Sequence, residues 1–132
     1  MIKISCRYIS LAEVSDLRAI SEYQKMVHPI EYEFDLVRNA GYLVLGILTR
    51  VGTPWLYVAS TSGDKQLQLV PAALFDFAWQ KVPENWVVRF PEREEIEFLP
   101  ASLVAIEGWF EKYVDDDANV VKIVEEEIDR AR

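Results

Sequence analysis

An almost unbroken apolar segment at residues 42–48 is the feature that most restricts the fold of this chain. Turn signals flank it at residues 38–41 and 52–54, so its length is that of a strand, and its composition predicts a strand covered on both faces. A second apolar segment, residues 55–60, begins directly after the second turn. Because so short a connection favours antiparallel neighbours, the sequence predicts an antiparallel sheet built around these two strands.

Other segments alternate polar and apolar residues with the period of a strand. In residues 2–8 the apolar positions alternate with Lys3, Ser5 and Arg7, which predicts that Cys6 points into the core. The remaining predicted strands are residues 30–36, residues 66–70 paired with 55–60 across a turn at 61–64, residues 86–90, and a last edge-like strand around Ile96 and Phe98.

Helical spacing appears at both ends of the chain. Ser10 and Glu13 form a capping-box pattern that predicts a helix ending at Pro29. Apolar residues also follow helical spacing over residues 103–114 and 120–128, separated by three aspartates. Residues 71–79 suit either a short helix or extended chain, and one or two helical turns are favoured. The predicted fold is α+β: an antiparallel sheet of about five or six strands with an N-terminal helix and a C-terminal helical segment packed on it.

Length and composition exclude several classes of protein. The chain has 132 residues, of which 51% are hydrophobic, so we expect one ordered domain over residues 1–132. One cysteine and one histidine exclude internal disulfides and Cys/His zinc sites. The sequence shows neither an apolar run long enough to cross a bilayer nor the layout of a signal peptide, so a cytoplasmic protein without a membrane partner is expected.

Candidate catalytic groups are few. Cys6 and His28 form a conceivable nucleophilic pair, but a thiol on the apolar face of a strand is usually inert. Carboxylates spaced like Glu31 and Glu33 suit a glycoside hydrolase, yet their strand pattern places them on a solvated face.

Glu95 and Glu97 are spaced in the same way and are also expected on a solvated face. The three consecutive aspartates at 115–117 lack the spacing of a calcium loop, and no nucleotide-binding or hydrolase signature is present. We therefore predict no catalytic residue, no metal site, no cofactor and no enzymatic activity.

Charge is distributed very unevenly along the chain. Residues 1–90 carry nine acidic and nine basic side chains, whereas residues 91–132 carry thirteen acidic and five basic ones, which accounts for the whole net charge of −8. Such a charge repels nucleic acid and attracts a basic protein partner, although acidic surface can also serve solubility alone. The predicted partner-binding residues are Asp115, Asp116, Asp117, Glu94, Glu95, Glu97 and Glu111, with Trp109 as an aromatic anchor.

The centre of the chain resembles small bacterial proteins that act as immunity partners of polymorphic or contact-dependent toxins. The resemblance rests on Trp55-Leu56-Tyr57-Val58, on the segment from Leu69 through Pro71 to Asp76, and on Val82-Pro83-Glu84-Asn85-Trp86. It implies a non-enzymatic function, namely tight binding that blocks a toxin domain, commonly a basic nuclease.

Two alternatives of other classes stay open. The acidic third of the chain suits a DNA mimic that occupies the groove of a nucleic-acid enzyme, which requires carboxylates spaced like phosphates. A small enzyme with a pocket lined by Trp79, Trp86 and nearby acids is the other alternative.

Overall fold

The computed structural model describes residues 2–76 and 80–132. Within them the chain forms one antiparallel sheet of seven strands. The strands are β1 (Ile2–Cys6), β2 (Gly41–Arg50), β3 (Thr53–Ser60), β4 (Gln68–Pro71), β5 (Phe75–Asp76), β6 (Trp86–Arg89) and β7 (Glu95–Pro100). The described helices are α1 (Leu17–Tyr23), α2 (Ala101–Val104), α3 (Trp109–Val114) and α4 (Ala118–Ala131).

The long strand β2 organises the sheet. Strand β3 pairs along one edge of β2, whereas β1 and β7 share its other edge, β1 along the first half and β7 along the second. The register of β2 against β3 shifts between Val44 and Gly46, which marks a bulge at the point where β1 gives way to β7. The sheet therefore curls and branches at this point, with the order β4-β3-β2-β1-β5 on one path and β6 beside β7 on the other.

A tight hairpin connects β2 to β3. Val51 and Gly52 form the two-residue loop, with φ angles of 50° and 79°. Two positive φ angles define the mirror-image turn that matches the twist of antiparallel strands, and glycine adopts the second at no steric cost.

Aspartates begin the two longest helices. Asp16 caps α1 by accepting hydrogen bonds from Arg18 N and Ala19 N, and Asp117 caps α4 by accepting from Asn119 N and Val120 N. The apolar stripe of α4 contributes Val120, Val124 and Ile128 to the core, where all three are buried. The predicted α+β fold and the predicted break between the last two helices are confirmed.

The predicted strand at residues 30–36 is wrong. Only an isolated bridge between Ser10 and Glu33 forms there. Strand β1 pairs instead with β2 and, through Ser5 and Cys6, with β5, so residues 30–36 gain no sheet partner beyond that bridge.

The predicted N-terminal helix is also shorter and divided. Ser10 does cap a turn, Leu11–Glu13, but that turn is 3₁₀, and α1 starts separately after Asp16 and ends at Tyr23. The ambiguous segment 71–79 forms a single 3₁₀ turn at Ala72–Leu74 and then strand β5. Residues 77–79, which include the predicted pocket residue Trp79, lie outside the described residues.

Strand β7 is not the edge strand that its acidic residues indicated. It lies between β2 and β6, and its burial pattern is the reverse of the expected one. Glu97 is 3% exposed, whereas Ile96 is 37% exposed. Within residues 2–76 and 80–132, no helix combines the length and apolar character needed to span a membrane.

Candidate functional site

An open cleft of about 580 Å³ lies between the second half of the sheet and helix α3. Strands β2, β3, β6 and β7 supply its floor, and the segment from Glu107 to Glu111 supplies one wall. Charged side chains dominate the lining: the glutamates are Glu92, Glu95, Glu97, Glu107 and Glu111, and the arginines are Arg50 and Arg89.

The floor contains a buried glutamate with both oxygens engaged. Glu97 Oε2 accepts a hydrogen bond from the Tyr57 hydroxyl at 2.5 Å, and Glu97 Oε1 accepts one from Arg89 Nε at 2.7 Å. Burial, and then the hydrogen bond to Glu97, raise the pKa of Tyr57 because both favour the neutral phenol. The glutamate is therefore held in place by partners from two different strands.

A second ion pair lies beside the first. Arg50 Nε donates to Glu95 Oε2 at 2.8 Å, and the two residues are cross-strand partners in β2 and β7. The two arginines of the cleft are thus each paired with one glutamate. Among the described residues, Glu92, Glu107 and Glu111 form no salt bridge, so three negative charges of the lining are unbalanced.

Aromatic rings support the wall of the cleft. The rings of Trp109 and Phe110 lie 4.9 and 5.2 Å from the ring of Tyr57, centroid to centroid, which joins α3 to the sheet. Phe90 stands at the rim and is 72% exposed. The cleft therefore combines unbalanced carboxylates with an accessible apolar surface.

Four of the eight predicted binding residues line this cleft: Glu95, Glu97, Glu111 and Trp109. Contrary to the prediction, two of them are not on the surface. Glu97 is buried in its pairs with Tyr57 and Arg89, and Trp109 is 1% exposed because it packs under Phe110 and against Tyr57. Trp109 is thus part of the core, and it contributes to the site by holding α3 in place.

The other predicted residues lie outside the cleft. Asp115 and Asp116 are exposed between α3 and α4, whereas Asp117 uses its side chain to cap α4. Glu94 is exposed in the turn before β7 with a φ of 65°. Within the described part of the chain, no cluster of three or more His, Cys, Asp or Glu side chains is arranged to hold a metal ion.

Cys6 is buried in the core as the alternation predicted. Its thiol donates a hydrogen bond to the Tyr8 carbonyl at 3.3 Å. Burial raises the pKa of this thiol, so the reactive thiolate is disfavoured.

The sequence patterns did not identify several residues of the cleft. For Arg50 and Arg89, the one pattern that could have indicated a role is that each charged residue ends an otherwise apolar strand. Glu107 gave no signal beyond its charge, because its place in the cleft depends on how α3 packs against the sheet. No protein-family model, no curated protein and no solved structure matches this chain.

Proposed function

We propose that this protein binds a basic protein partner and that the cleft receives a lysine or arginine side chain of that partner. The observation that carries the proposal is the charge balance of the lining, in which Glu92, Glu107 and Glu111 lack cationic partners among the described residues. Complementary charge of this kind accelerates encounter and selects the partner.

A lysine or arginine side chain matches the groups that line the cleft. Lysine and arginine bury their aliphatic stems against apolar surface and keep the charged head near polar groups. In the cleft, Phe90 and Phe110 offer the apolar surface, and the carboxylate of Glu111 or Glu107 offers the counter-charge. An aromatic ring beside a cation adds a further attraction.

The most concrete form of the proposal is an immunity protein that blocks a bacterial toxin domain without catalysing a reaction. Its support is the resemblance of residues 55–90 to such proteins together with the acidic cleft. Toxin domains that degrade nucleic acid carry basic surfaces, so an acidic inhibitor is electrostatically matched to them.

Co-expression with the protein encoded by the adjacent reading frame tests this proposal. We expect the neighbour to be toxic when expressed alone, and we expect this protein to suppress that toxicity and to co-purify with it. A neighbour that is harmless alone, or that does not co-purify, contradicts the immunity proposal.

A matched pair of variants tests the cleft itself. The cleft variant replaces Glu92, Glu107 and Glu111 by glutamine, and the control replaces the exposed Glu31, Glu125 and Glu126, so both remove three negative charges. We expect only the cleft variant to lose protection and co-purification. Equal losses from both variants contradict the assignment of the cleft.

A further inference from the structure

A second pocket, lined by strand β2, the segment from Pro83 to Trp86 and the C-terminal half of helix α4, contains a buried carboxylate of its own. It has a volume of about 440 Å³ and is lined by Leu45, Pro83, Trp86 and Pro100 together with polar groups of α4. Glu127 of α4 lies in this lining with its side chain 7% exposed. The residues of this pocket are not those of the acidic cleft.

The two oxygens of Glu127 are in different situations. Oε1 accepts hydrogen bonds from the Ser102 hydroxyl, at 2.9 Å, and from Arg130 Nη1. Oε2 receives no hydrogen bond from the described residues. A carboxylate oxygen has room for two donors, so Oε2 is an open acceptor at the wall of an apolar pocket.

The charge of this pocket is balanced. Glu127 and Arg130 form an ion pair, and no other acidic or basic residue lines the pocket. The Arg130 side chain is 65% exposed, so donors of its guanidinium that do not bind Glu127 remain accessible. The lining also holds the neutral amide of Asn85. A net-neutral ligand with a donor at one point and an acceptor near it therefore matches the Glu127–Arg130 pair.

We propose that this pocket binds a zwitterionic small molecule of the α-amino-acid class with an apolar side chain. The ammonium group donates to Glu127 Oε2, the carboxylate accepts from Arg130, and the side chain packs among Trp86, Pro83 and Pro100. Small-molecule pockets are commonly about 300 to 1,000 Å³, mostly apolar, with a few polar groups that fix orientation, and this pocket has that composition. Trp86, which the sequence analysis assigned together with Trp79 to a pocket with nearby acids, lines this pocket beside Glu127.

Titration of the labelled protein with L-phenylalanine, followed by backbone amide chemical shifts, tests this proposal. We expect saturable shifts at Leu45, Trp86 and Ala131, which surround the pocket. Two analogues serve as matched probes: 3-phenylpropionate lacks the ammonium group, and phenethylamine lacks the carboxylate. Each should bind about tenfold more weakly or worse, since each loses a charge-assisted hydrogen bond.

Protein variants provide the second arm. Glu127→Gln should weaken phenylalanine binding by about tenfold, because it removes the charge that the ammonium meets. Glu126→Gln, the exposed neighbour on α4, should leave binding unchanged. The proposal is overturned by an absence of saturable shifts in the wild-type protein, by equal binding of either analogue, or by shifts centred on the acidic cleft. The analogue comparison uses wild-type protein, so it tests recognition of the ammonium and the carboxylate even if the Glu127→Gln variant does not fold.

Discussion

The Tyr57 hydroxyl reaches Glu97 across strand β2, with 2.5 Å between the two oxygens. Tyr57 lies on β3 opposite Gly46, and Glu97 lies on β7 opposite Leu48, so the hydrogen bond passes over the strand between them. The missing side chain at Gly46 leaves this space open. A Cβ at position 46 would lie 2.5 Å from Leu99 Cδ2 and 3.0 Å from Tyr57 Cδ2.

Gly46→Ala should therefore destabilise the protein. The added methyl must displace the Leu99 side chain and also crowds the Phe98 carbonyl oxygen and the Tyr57 ring, and overpacking of this kind costs about 1 to 3 kcal/mol. The control is Gly63→Ala, where a Cβ meets nothing within 4 Å and only the φ of 79° is unfavourable. Urea unfolding should show the larger loss for Gly46→Ala, and a larger loss for Gly63→Ala would show that the Tyr57–Glu97 space is not tightly packed.

Glu97→Gln should cost much more stability than Glu95→Gln. Removing the charge of Glu97 leaves Arg89 facing a buried neutral group. Breaking a buried ion pair in this way lowers the free energy of unfolding by about 3 kcal/mol or more. The side chains of Arg50 and Glu95 are 44% and 18% exposed, against 24% and 4% for Arg89 and Glu97, so the Arg50–Glu95 pair is better hydrated and its loss should cost less. The urea midpoints of the two variants, at constant m-value, measure both losses of stability. Equal midpoints contradict the burial of Glu97.

Stability should fall at alkaline pH through the buried tyrosines. Burial raises the pKa of Tyr23 from 10.0 to about 12, and the pKa of Tyr57 is raised as well. As the pH rises, the tyrosine of the unfolded chain loses its proton first. The contribution of the buried tyrosine to stability is therefore complete below pH 10 and is lost as the pH rises through the pKa of the folded state. Tyr23→Phe should make the fall between pH 10 and about 12 shallower, as measured by unfolding at each pH. An unchanged slope would contradict the raised pKa of Tyr23.

Within the aspartate triplet, Asp117 should matter most for stability. Its carboxylate accepts from two backbone amides at 3.1 Å, and replacing such a cap by alanine costs about 1 kcal/mol. Asp115 is exposed, so Asp115→Ala should change the free energy of unfolding by less than about 0.5 kcal/mol. Thermal or urea unfolding of the two variants measures the difference, and equal losses would contradict the capping role.

Local sequence patterns predicted most of the strands but not which strands pair with each other. The apolar segments that became β2 and β3 were clear because both faces of a central strand are covered. Residues 30–36 have an equally regular alternation and yet form no strand, since a strand also needs a pairing partner, which alternation does not supply. Strand β1 pairs with β2 and, through Ser5 and Cys6, with β5, whose residues lie about seventy positions further along the chain.

The site was harder to predict than the fold. Alternation shows that Glu95 and Glu97 share one face of β7, but it does not show which face is covered. Here the covering comes from α3 and the hydrogen-bond partner from Tyr57, which is 40 residues distant. Charge counting found the acidic third of the chain, and only the packing of α3 on the sheet brings Glu107 and Glu111 opposite the β7 carboxylates.

The most direct test is the rate at which this protein associates with the proposed basic partner, the product of the adjacent reading frame, measured by stopped flow over a salt series. Removing the charges of Glu92, Glu107 and Glu111 should slow association and flatten its salt dependence. The matched removal of Glu31, Glu125 and Glu126 should change both less, because these residues do not line the cleft and salt weakens the influence of exposed charges that are not in contact with the partner. Equal effects from the two variants would show that the acidic charge serves solubility and that the cleft does not receive the partner.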